Sequence, residues 1–155
     1  MRRRALVAPL VAALLLTPTA CGGGESDADA HESGDGEFSA AADTDTCVDD
    51  ATAATATPAG YASDFPLPHG TVVYHVEDRG EDGVIATGVT ALPFSDVLDA
   101  MNASEEAGFH ITSGETEDDD AEANWTGHGY VGRWAIKKSA TCAGETVVQL
   151  LSRKG

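Results

Sequence analysis

The sequence predicts an α+β fold: an antiparallel sheet of about five strands with one helix packed on one face, in the order β-β-α-β-β-β. Two observations point there. Beyond about residue 60, apolar residues recur at a period of two in short runs broken by Gly- and Asp-rich turns, the pattern of half-buried strands. A single stretch, Pro93 to Ala107, carries a helical period instead, so one helix covers one face of the sheet.

In chain order, Asp64-Phe65-Pro66-Leu67-Pro68-His69-Gly70 is a proline-fixed lead-in that lies extended over the core edge. Thr71 to Glu77 reads as a strand with Val72, Tyr74 and Val76 on one face. The turn Asp78 to Gly83 joins it to a second strand, Val84 to Leu92, as an antiparallel hairpin. In the helix, Pro93 suits the first position, where its missing N–H costs nothing. Phe94, Val97, Leu98 and Met101 form the apolar stripe, and Gly108 suits the left-handed residue that ends it. Phe109 to Ser113 begins a further strand, and the acidic run Glu115 to Glu122 follows as an exposed turn. Ala121 to Thr126 and Tyr130 to Lys137 are joined at Gly127-His128-Gly129. Gly144 precedes a final strand, Thr146 to Leu151.

Upstream of this domain, assigned to 61–155, lie two segments of different chemistry. Residues 1–20 carry Arg2, Arg3 and Arg4, an apolar run from Ala5 to Leu16, and a small-residue zone ending at Ala20, which together specify a signal peptide. The run falls short of the roughly 20 residues a membrane-spanning helix needs. Residues 21–60 are rich in Gly, Ala, Ser, Thr and acids, with no Lys or Arg and few large apolar residues. Such a segment cannot bury enough surface to offset its ordering entropy and reads as a disordered acidic tether.

At the junction, Thr19-Ala20-Cys21 followed by Gly22-Gly23-Gly24 resembles the processing site of bacterial lipoproteins, with Pro18 where an aliphatic residue is usual. The resemblance implies that Cys21 is diacylated and becomes the N-terminus, on the extracytoplasmic face of a cell membrane. The chain has three cysteines, and if Cys21 carries lipid, Cys47 and Cys142 remain to form one disulfide in an oxidising compartment. That bond would staple a thin core by closing a loop of about 100 residues, worth up to ~4–5 kcal/mol in the chain-entropy model. The formal charge is −17, and −20 without Arg2, Arg3 and Arg4, which argues against nucleic acid and against electrostatic adsorption to anionic lipid. Two acyl chains hold a protein on a bilayer where one does not.

Candidate chemistry is sparse. The run Glu117 to Glu122 offers oxygen ligands for calcium, but lacks the alternating acids and central glycine of an EF-hand loop and reads as a solvated turn. None of the five histidines has helical zinc spacing; a composite site would need the strands to assemble His75, His110 and a carboxylate. No Gly-x-Ser-x-Gly elbow occurs, so a small hydrolase ranks last. Gly127, Gly129 and Gly132 match a dinucleotide fingerprint by letter, but a strand follows them rather than a helix. Trp125, Tyr130 and Trp134 suit a core better than an exposed platform.

The segments Phe65 to Pro68, Thr71 to Leu92, Pro93 to Ala107 and Phe109 to Leu151 together resemble small domains of uncharacterised actinobacterial lipoproteins. The expectation is a lipid-anchored, non-enzymatic binding or accessory module with no cofactor and no metal site. Its partner would be an envelope protein or cell-wall component. The alternative is a ligand- or cation-binding module using the sheet face or the acidic turn.

Overall fold

A computed structural model of the chain describes residues 45–155. The expected signal peptide, Cys21 and the expected tether up to residue 44 lie outside the described residues. The elements are β1 (Val72–Asp78), β2 (Val84–Thr90), α1 (Phe94–Asn102), β3 (His110–Thr116), β4 (Asp120–Gly127), β5 (Tyr130–Lys138) and β6 (Thr146–Lys154). Short 3-10 turns lie at Gly80–Asp82 and Ala103–Ala107.

All strands pair antiparallel in one six-stranded sheet, ordered β1-β2-β6-β5-β4-β3. The α+β class therefore holds, with six strands where about five were expected. Each of the six segments with a strand pattern forms a strand, and the acidic run expected as an exposed turn extends two of them: Glu115 and Thr116 close β3, Asp120 to Glu122 open β4, and the reversal is confined to residues 117–119. Ladder pairing accepts these carboxylates because Glu115 is exposed to water and Glu122 is neutralised by Arg133 of the next strand.

The last strand, β6, inserts between β2 and β5, so the hairpin β1–β2 and the meander β3–β4–β5 are joined through it. Helix α1 makes the connection from β2 to the far edge strand β3. Pro93 caps it from an extended conformation (φ −66°, ψ 154°) rather than occupying the first helical turn. The Pro93 carbonyl accepts the N–H groups of Asp96 and Val97. The helix tightens to 3-10 at Ala103, and Gly108 ends it with φ 88°. That left-handed turn costs glycine nothing and lets the Phe109 N–H donate to the Ser104 carbonyl as the chain enters β3.

Val97 and Met101 of α1 pack on Ala121, Ala123 and Trp125 of β4, Trp134 and Ile136 of β5, and Val148 and Leu150 of β6. These positions share one sheet face, because Trp125 opposes Gly132, Trp134 opposes Leu150, and Ile136 opposes both Ala121 and Val148. Trp125 and Trp134 are both core residues, each about 1% exposed. The lead-in is a series of turns, with Phe65 N–H bonded to Ala62 O and Leu67 N–H to Phe65 O, and is not extended as expected. Phe65 is buried, its ring centroid 5.0 Å from those of both Phe109 and Trp125, and burying that ring is what bends the backbone.

In β1 the expected common face of Val72, Tyr74 and Val76 is broken by a bulge between Val73 and His75. Val72 opposes Val89 and Val76 opposes Ala86, residues on opposite sides of β2. An inserted residue inverts the alternation beyond it. Part of the expected tether is tied to the domain as well: Ala54 N–H donates to Val73 O and Val48 N–H to the Glu145 carboxylate. Among the described residues no helix is long and apolar enough to cross a membrane.

Candidate functional site

The face of the sheet turned away from α1 is closed at one end and open at the other. Thr87, Val89, Val147 and Gln149 are buried there, whereas Leu151, Val131 and Arg133 are only half-buried and Asn124 and Thr126 are exposed. At the open end two cross-strand rows form the floor of a groove of about 470 Å³. Ile85, Leu151, Arg133 and Asn124 stand in register across β2, β6, β5 and β4. One pleat further, Arg153, Val131 and Thr126 form the second row. The turn after β1 closes one side with Arg79 and Asp82, and Thr112 of the β3 bulge lies on the other.

Local structure holds each arginine. Arg79 directly follows β1 and donates from Nε and one Nη to the two carboxylate oxygens of Glu77, at 3.1 and 3.2 Å. Its backbone N–H donates to Gly83 O, which fixes the turn. Arg133 pairs with the carboxylate of Glu122, a diagonal neighbour on β4, and both side chains are about four-fifths buried. Arg153 is exposed and forms no ion pair among the described residues. The polar wall is ordered too: Thr112 Oγ1 donates to Asn124 O, and Asn124 Nδ2 to Ser113 Oγ. Ile85, Leu151 and Val131 supply the apolar part. The polar groups of the lining are the three guanidinium groups, the Asp82 carboxylate, the Asn124 amide and the hydroxyls of Thr112 and Thr126.

The residues singled out in the sequence fall elsewhere. Cys21 lies outside the described residues. Cys47 and Cys142 form a disulfide with a Cα–Cα distance of 5.7 Å, which anchors the upstream chain to the loop before β6. Glu145 lies close to the two sulfurs, but they are bonded to each other and its carboxylate accepts the Val48 N–H, so the trio is a staple. His75 lies on edge strand β1 and His110 on the opposite edge strand β3. Five inter-strand steps of about 4.8 Å put them roughly 24 Å apart in a flat sheet, so the composite histidine site does not form.

In the acidic turn, Asp119 is paired with Lys138 at 2.8 Å. His128 and Gly129, with φ of 52° and 78°, form the two-residue turn of the β4–β5 hairpin. The His128 ring stacks on Phe109 at 4.7 Å and bonds Ala107 O through Nε2. Gly132 serves close packing instead of phosphate.

Sequence reasoning passed over Arg79, Arg133 and Arg153. A signal was present: they are the only arginines after Arg4 in an acidic chain, and Arg133 and Arg153 alternate with the core positions of their strands. Compared with protein-family models, curated proteins and solved structures, the chain has no match.

Proposed function

We propose that the chain is an exported, lipid-anchored and non-enzymatic binding module on the extracytoplasmic face of a bacterial cell membrane. Its contact surface, in this reading, is the groove on the helix-free face. The observation that carries it is the gathering of Arg79, Arg133 and Arg153 around one half-apolar groove, in a chain of formal charge −17. The anchor is supported by cysteine parity, since the Cys47–Cys142 disulfide leaves Cys21 as the third cysteine. The disulfide itself suits an oxidising compartment. The partner is an envelope protein or cell-wall component. Cation binding has less support, with Asp119 already neutralised by Lys138 and the two histidines at opposite edges.

Two measurements test this reading. Full-length protein and Cys21→Ala, expressed in a bacterial host, are fractionated and weighed intact. Wild type is expected in the membrane fraction with a diacylated N-terminal Cys21, and the variant in the soluble fraction. An unmodified chain starting at Cys21 would refute the anchor. A photo-crosslinking residue at Thr126, in the groove, is expected to capture a partner in cells, and one at exposed Asp99 on α1 is not. Equal capture from both positions removes the groove from consideration.

A further inference from the structure

We infer that the groove is a receptor site for a small amphipathic anion, a carboxylate or phosphate ester carried on an apolar body. The inference rests on the groove being the binding surface and adds the chemistry of what it binds.

Charge is the first ground. Every arginine after Arg4 lines this groove, with Asp82 the only acid in the lining. Arg133 and Arg153 are diagonal neighbours on adjacent strands, roughly 7–8 Å apart at Cα, where like charges repel. Glu122 holds Arg133 and Glu77 holds Arg79, yet neither glutamate lines the groove. Arg153 has no acidic partner among the described residues and stands at the rim. An anion seated against Arg153 offsets this repulsion, and the guanidinium fork fits carboxylate or phosphate oxygens two at a time.

Shape and polarity are the second. Ile85 is buried, and Leu151 and Val131 are half-buried beside the charges, so a ligand seated by its anionic head lays an apolar body on this strip. Exposed Thr112, Asn124 and Thr126 bring hydroxyl and amide groups to the opposite wall. A volume of about 470 Å³ falls within the range of small-molecule sites.

The test uses the full mature chain with Cys21→Ser, which removes the need for detergent. It is titrated calorimetrically with octanoate, octyl phosphate and neutral octanamide. At least one anion is expected to bind about tenfold or more tightly than the amide, as charge-assisted hydrogen bonds do. Added salt is expected to weaken that binding. A preference for octanoate identifies a carboxylate ligand, and a preference for octyl phosphate a phosphate ester.

Arg153→Gln, at an exposed position, is expected to erase most of the difference between anion and amide with an unchanged melting temperature. Equal affinity for all three probes, no binding at millimolar concentration, or an unaltered affinity for the preferred anion in Arg153→Gln overturns the inference. Thr126→Trp fills the groove without changing its charge. If it abolishes equal binding of anion and amide, the groove reading stands and the anion inference falls. If it leaves all binding intact, both fall.

Discussion

Trp125 on β4 and Gly132 on β5 oppose each other directly, and the Trp125 indole occupies the volume that a side chain at Gly132 would need. A Cβ at that position also meets the carbonyl oxygen of Leu151 on the neighbouring strand, so neither side can yield cheaply. Gly132→Ala is therefore expected to cost about 1–3 kcal/mol through overpacking. Chemical denaturation followed by Trp fluorescence measures it. A variant as stable as wild type would show that the β4–β5 ladder shifts freely here.

Phe65 joins the lead-in to the core through its contacts with Phe109 and Trp125. Phe65→Ala is expected to lose about 3–5 kcal/mol, the usual range for a buried phenylalanine. Asp64→Ala, at an exposed neighbour, is expected to change stability by less than about 0.5 kcal/mol. Similar midpoints for the two variants in urea would contradict the placement of Phe65.

The Cys47–Cys142 bond spans a sequence separation of 95 residues. Cys47→Ser is expected to destabilise the domain by about 2–5 kcal/mol, mainly by freeing the unfolded chain. Reducing agent should lower the melting temperature of wild type and leave that of the variant unchanged. A matching response in both would place the stabilisation elsewhere.

Burial raises the pKa of the Tyr61 hydroxyl above its ordinary value of 10.0. The folded chain then holds this proton more tightly than the unfolded chain, so its contribution is complete below pH 10 and is lost as pH rises through the higher folded value. Stability is expected to fall more steeply above pH 10 in wild type than in Tyr61→Phe, measured by urea midpoints between pH 8 and 11. Parallel curves would show that Tyr61 does not ionise differently on folding.

Much of the fold was legible because its signals are local. The period of two placed Trp134 and Ile136 on a common face, and the stripe of Val97 and Met101 marked the inner side of α1. Three local readings were altered by packing. The Val73/His75 bulge reversed the alternation of β1, the burial of Phe65 bent the lead-in, and ladder pairing drew most of the acidic run into β3 and β4. A bulge is a property of the pair of strands, so a single strand read alone does not disclose it.

By itself the sequence determined most of the strand and helix segments and the α+β class, since periodicity is a property of the chain; its three cysteines allow three pairings, and the structure shows the one between Cys47 and Cys142. Only the tertiary structure decided that β6 lies between β2 and β5, with β1 and β3 at the edges. That order separates His75 from His110 and brings Arg79, Arg133 and Arg153 around one groove. The physical reason is that strand adjacency comes from hydrogen bonding between distant segments. The same local pattern is compatible with several sheet orders, and each order would have gathered a different set of side chains on the open face.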